Sequence, residues 1–153
     1  MPRTFSSPAA TRAALLQAAC ELAKDAGVFG ISVDRVIERA GLSKGGFFHH
    51  FPTKQALVMA VVDAELDRFD TLVAQQCERG SSFPQALVSV LLEFLQSNAT
   101  MMASVNAALS FGGEVTQLVV ERRARWLARL RAEVRPVARA ELVGHAIDGV
   151  IFS

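Results

Sequence analysis

The chain has 153 residues, half of them hydrophobic and 20% charged, with a formal net charge of +1. That length buries a core without disulfide or metal staples, and the composition is too apolar for a disordered chain. The charge is uneven: residues 1–54 carry seven Lys/Arg against four acidic residues, a basic excess of the kind a phosphate-contacting face needs, whereas the rest is slightly acidic.

Ser7 before Pro8 makes a helix start, because the serine oxygen caps free amides and proline suits the first turn. Leu15, Ala19, Leu22 and Ala26 then recur at helical spacing up to Gly27, which closes the helix. Cys20 lies inside this pattern and Cys77 inside a later one, so both read as packing residues of a reducing compartment. Arg12 leaves too short an apolar run before Cys20 for a lipoprotein signal.

A short connection, 28–31, leads to Ser32, an N-cap followed by Val33, Val36, Ile37 and Ala40 on one helical face. Gly41 supplies positive φ after that helix, Leu42 plugs the turn, and Ser43 caps the next helix. This third helix is confined to about Lys44 to His49 by Pro52, which disfavours helical geometry at Phe51. Thr53 then caps a long fourth helix with the face Leu57, Ala60, Val61, Ala64, Phe69, Leu72 and Val73, ending before Gly80.

Ser82 and Gln85 have capping-box spacing and open a helix through Leu87, Val90, Leu91, Phe94 and Leu95, with a break at 98–100. This apolar stretch contains Glu93 and is too short to span a membrane. Further helices are predicted over 101–111 and 115–134, the latter with Val119, Trp126, Leu127, Leu130 and Val134 on its apolar side. Pro136 ends it, and a last helix starts near Ala138. The arginines of 115–134, including Arg122, Arg125 and Arg129, read as a solvated, partly paired face, with Glu121 four residues before Arg125. There is no strand alternation, repeat, catalytic constellation or metal-ligand cluster, and the adjacent His49 and His50 diverge on a helix. The expected class is all-α and not an enzyme, without cofactor or metal.

The unit Ser32 to His50 meets the geometric demands of a helix-turn-helix, a motif that tight helical hairpins without DNA binding also approach. Three runs carry a more specific signal: 30–37 (GISVDRVI), 40–45 (AGLSKG) and 47–57 (FFHHFPTKQAL), with Thr11, Arg12, Leu15, Ala18, Ala19 and Leu22 upstream. Together they closely resemble the TetR regulators over about 45 residues. The resemblance implies an N-terminal three-helix DNA-binding domain, 1–54, joined by a long helix to a helical effector-binding and dimerisation domain, 55–153.

It further implies that Ser32, Ser43, Lys44 and Lys54 approach phosphates of double-stranded operator DNA. Serines at helix starts and full charges beside them suit anions, and such contacts set affinity and register rather than sequence choice. Base reading falls to the exposed face of the third helix, with Gly45 and Gly46 permitting close backbone approach and Phe47, Phe48 and His49 offering side chains. Phe51 and one of Phe47 and Phe48 are expected in the core. Many members of the family carry tyrosine where Phe48 stands, and this chain has no tyrosine.

For the second domain, the resemblance implies a pocket for a small effector whose filling moves the fourth helix of a homodimer. Candidate lining residues are Phe69, Phe94, Met101, Met102, Asn106, Phe111, Trp126 and His145, a mostly apolar set that suits an apolar ligand, though each also reads as core. The helix with Gly144, His145 and Gly149 resembles the family's penultimate helix, and the last dimerisation helix is expected to be missing. The reading is thus a cytoplasmic, ligand-responsive repressor; the alternative is a helical interaction module of the same fold that does not bind DNA.

Overall fold

A computed structural model describes residues 7–97, 113–134 and 137–151 of the chain. Among them are seven α-helices and one 3-10 turn, with no strand: α1 (Pro8–Ala26), the turn Val28–Gly30, α2 (Val33–Ala40), α3 (Lys44–His50), α4 (Lys54–Glu78), α5 (Phe83–Ser97), α6 (Gly113–Glu133) and α7 (Val137–Ile151). The all-α fold and the helix order expected for these residues hold. The helix expected at 101–111, and with it Met101, Met102, Asn106 and Phe111, lies outside the described residues.

The boundaries follow local chemistry. The Ser7 Oγ accepts the amide of Ala10 at 3.2 Å, with Pro8 in the first turn of α1. Thr53 Oγ1 accepts the amide of Ala56 at 3.0 Å and starts α4. At α5, Gln85 Oε1 reaches back to the amide of Ser82 at 3.1 Å, the acceptor half of a capping box.

Two main cores sit along α4. The first joins Leu15, Ala19 and Leu22 of α1, Ile31, Val36 of α2, Phe47 of α3 and Phe51 to Leu57, Val58 and Val61 of α4. Ala26 is exposed rather than part of this face; Ala18 and Ala23 take its place, because α2 and α4 approach α1 from that side. The second core joins Phe69 and Val73 of α4 to Phe83, Leu87, Val90 and Phe94 of α5, Leu130 of α6 and Ala140 of α7. Between them, Val62 packs with Val115 and Val119. The two ends of one 25-residue helix are therefore built into different cores, which makes α4 a shared strut.

Arg122 departs from the expected solvated face. It is 7% exposed and lies against α4, bonded to Asp63, Asp67 and Asp70. Glu121 accepts from Gln117 rather than from Arg125, while Arg129 pairs with Glu133 at 2.7 Å and stacks over Phe83. The α6–α7 pair is tied by Arg131 and Glu141 at 2.7 Å, and a Cβ on Gly144 would collide with Leu127, so glycine there permits the close packing of α7 on α6. No helix among the described residues is long and apolar enough to cross a membrane.

Candidate nucleic-acid interface

The turn between α2 and α3 is set by backbone geometry. Gly41 takes left-handed φ 69° and ψ 37°, and the amides of Gly41 and Leu42 close on the carbonyls of Glu38 and Ile37 at 3.2 and 3.1 Å. This paired closure satisfies the end of α2 and favours glycine at position 41. Leu42 is half-buried and packs against the first core. Ser43 then starts α3 at once, its Oγ accepting the amide of Gly46 at 3.1 Å.

In this seven-residue helix the core claims one side. Phe47 is 0% exposed, its ring 6.0 Å from that of Phe51. The expectation that Phe47 offers its ring to a base does not fit this position: one turn apart, Phe47 and Phe51 form the inward stripe that holds α3 against α1 and α4. Burying such a ring stabilises the domain by about 1.5–3 kcal/mol. Phe48, rotated by about 100° on the helix, is 43% exposed and stands edge-on to Phe47 at 5.2 Å. His49 is exposed and His50 half-buried, their rings 5.0 Å apart.

Gly45 is exposed, and a Cβ there would meet nothing within 4 Å, so its own fold does not require glycine. At Gly46 a Cβ would come to 3.4 Å of Ser43 Oγ. The outward surface of α3 is therefore bare backbone at its start, then Phe48 and His49.

Around this surface lie three hydroxyl-capped helix starts. Ser32 Oγ accepts the amide of Arg35 at 3.2 Å, and Ser43 and Thr53 do the same for α3 and α4. Each oxygen is committed as an acceptor, which leaves each hydroxyl proton available to donate to a phosphate. Lys44 and Lys54 are exposed beside the second and third of these starts, and Lys44 Nζ is 3.7 Å from Asp34 in a loose, solvated pair. Arg39 is held elsewhere, tied to Glu21 and Asp25 of α1 at 3.7 and 3.3 Å. Arg12 is stacked over Phe51, 5.0 Å from its centroid, so an exposed cation of α1 also stands at the end of α3.

Cys20 is half-buried on α1, and its thiol is pushed up to about 11 by burial, with the nearby charge of Glu65 acting in the same direction. A thiol so protonated suits a packing role rather than a reactive one.

The candidate effector residues divide. Phe69, Phe94 and Trp126 come together, with ring centroids 5.3 Å apart for Phe69–Phe94 and 4.9 Å for Phe69–Trp126. His145 does not join them: it is exposed on α7, its Nδ1 2.7 Å from the carbonyl oxygen of Glu141, so its expected place in a shared pocket wall is not the one it occupies. The arrangement that residue reading missed is the contact of Arg122 with Asp63, Asp67 and Asp70. Its signal was in the spacing of those aspartates, which places all three on one face of α4.

Residues 15–61 match the model of the bacterial regulatory proteins of the tetR family. The span runs from the first buried leucine of α1 to the last residue of α4 in the first core. The chain is similar to the HTH-type transcriptional repressor KstR2 of Rhodococcus jostii, 26% identical over 148 residues, covering 94% of this chain and 69% of that one. It is also similar to the HTH-type transcriptional regulator EthR of Mycobacterium tuberculosis, 25% identical over 126 residues, covering 79% of this chain and 58% of that one. In fold it is similar to Salmonella enterica GusR, with a TM-score of 0.69 and 20% identity over 99% of this chain and 86% of that one. Both sequence relatives are regulators rather than enzymes. The helix-turn-helix region, residues 15–61, is that of the TetR family of bacterial regulatory proteins, which identifies a DNA-binding regulator.

Proposed function

We propose that this protein is a cytoplasmic repressor that occupies double-stranded operator DNA as a homodimer and is released by a small, mostly apolar effector. The outward face of α3 carries the reading: a bare backbone at Gly45, followed by exposed Phe48 and His49. In this arrangement Ser32, Ser43, Lys44 and Lys54 hold phosphates. The backbone at Gly45 and Gly46 approaches the bases, Phe48 contacts a thymine methyl, and His49 donates to a base or phosphate. Repression is supported by the relative named a repressor.

A dimer places two such heads on half-sites about 34–36 Å apart, so a change in the angle of α4 alters their fit to the duplex. Phe69, Phe94 and Trp126 supply an apolar, aromatic neighbourhood for the effector in the second domain.

The test is titration against promoter duplexes at several salt concentrations. Saturable binding to a palindromic site, with a salt slope that falls by about one on Lys44→Ala, is expected. Weak binding that ignores sequence would favour the interaction module instead. Mass measurement in solution checks the dimer, and a monomer at micromolar concentration overturns the two-headed mechanism.

A further inference from the structure

Asp63, Asp67 and Asp70 stand one helical turn apart along α4, about 5.4 Å per turn. The Arg122 guanidinium reaches all three: Nη2 donates to Asp63 at 3.0 Å, and Nη1 donates to Asp67 at 2.7 Å and to Asp70 at 2.6 Å. The arginine side chain is 8% exposed, whereas those of the three aspartates are 51%, 65% and 35% exposed. One buried cation thus faces a row of partly hydrated anions. Its Nε is buried with no hydrogen-bond partner among the described residues, so the outer nitrogens alone hold the group.

The helices that meet here run side by side in the same direction. Val62 packs with Val115 and Val119, Asp70 bonds Trp126, and Cys77 lies near Arg129, so the contacts advance together along α4 and α6. Asp63 is two residues past Val61, which belongs to the core holding Phe47 of α3. Asp70 is next to Phe69, which belongs to the second core. The register of α6 against α4 therefore bears on where the second core sits relative to the DNA-reading helix.

We propose that Arg122 is a positioning residue for DNA binding, and that Asp63, Asp67 and Asp70 form a rail along which it passes between registers. A single carboxylate partner would lock α6 in place, since leaving it would strand a buried charge. Three partners at one-turn spacing keep the guanidinium paired at each stop, the condition for a one-turn displacement of one helix past another. Trp126 lies one turn beyond Arg122 on α6 and marks the present stop through its Nε1 bond to Asp70 Oδ1 at 2.6 Å. Displacement toward the C-terminus of α4 gives up Asp63 and carries the indole past Asp70; displacement the other way gives up Asp70. This inference rests on the DNA-binding reading above.

The experiment compares Asp63→Asn with Asp70→Asn, which remove opposite ends of the row. The probe is a duplex selected by the wild-type protein from a random-sequence library, and the second readout is the emission of Trp126, the single tryptophan of the chain. The two variants are expected to change DNA affinity in opposite directions, with a total spread of about fivefold or more, and to move the Trp126 emission maximum in opposite directions without DNA. In an Arg122→Met background the two are expected to have equal affinity. Affinity that falls in both variants in step with their Tm would make the contact a structural bridge and overturn the proposal, as would affinities equal to wild type. If no duplex is selected, the DNA-binding reading fails, and emission decides the rail alone: unchanged emission in both variants overturns it.

Discussion

The indole Nε1 of Trp126 donates a 2.6 Å hydrogen bond to Oδ1 of Asp70, whose other oxygen accepts from Arg122 at the same distance. One carboxylate thus ties two consecutive turns of α6 to α4. Burial works against the arginine's charge, but the hydrogen bonds to Asp70 and Asp67 and the charges of those carboxylates together outweigh it and raise the Arg122 pKa above its ordinary value. Asp70→Ala leaves the half-buried indole without its acceptor and takes one of three partners from Arg122. The expected cost is about 1–3 kcal/mol, read as a lower urea midpoint with an unchanged m-value.

Lys44 and Ser43 are neighbours with different work. Lys44 meets Asp34 at 3.7 Å in full solvent, a pair worth about 0–1 kcal/mol. Lys44→Ala is therefore expected to hold its Tm while losing DNA affinity. Ser43→Ala removes the acceptor for the Gly46 amide and is expected to cost about 0.5–2 kcal/mol of stability, so thermal unfolding separates the two variants before any DNA is added.

Gly45→Ala tests whether DNA needs the bare backbone. A Cβ at this position meets nothing, and alanine gains up to about 1 kcal/mol in helix propensity. The expected outcome is a protein at least as stable as wild type that binds its duplex more weakly. Unchanged affinity would take Gly45 out of the base-reading surface.

The two adjacent phenylalanines of α3 are expected to respond in opposite ways. Phe47→Ala empties a fully buried site and costs about 3–5 kcal/mol, enough to unfold the first core. Phe48→Tyr adds a hydroxyl to a ring that is already exposed, so stability stays within about 0.5 kcal/mol. The new phosphate donor is expected to tighten DNA binding, which a fluorescence anisotropy titration reads directly.

Cys20 supplies a pH prediction. Its thiol titrates near 11 because burial disfavours the thiolate, so the folded chain holds this proton more tightly than the unfolded chain does. The stability contributed is present in full below the unfolded thiol pKa, about 8.5, and is lost as pH rises toward 11. In a Cys77→Ser background, alkylation at pH 8 is expected to be about a hundredfold slower than that of a free thiol.

Helix starts and stops were legible in the sequence because their causes lie within a few residues. Ser7, Ser32, Ser43 and Thr53 cap helices where their spacing predicts, and Gly41 takes the left-handed turn that admits α3 directly after α2. The four phosphate candidates come from the resemblance to the TetR regulators, and they stand at these same starts: three flank α2 and α3, and Lys54 opens α4.

Which side of a short helix faces inward is a different kind of question. Phe47 and Phe48 are equally apolar, and only the approach of α1 and α4 makes the first a core residue and leaves the second exposed. Arg122 resembled its neighbouring arginines for the same reason: the spacing of the aspartates marks a row on α4, but its partner lies 52 to 59 residues away, and nothing near Arg122 tells which arginine reaches it. Capping and turn chemistry are short-range and therefore written into the order of residues. Burial, and the pairing of charge across helices, exist only once packing has brought distant residues together, α1 and α4 around α3 and α6 against α4.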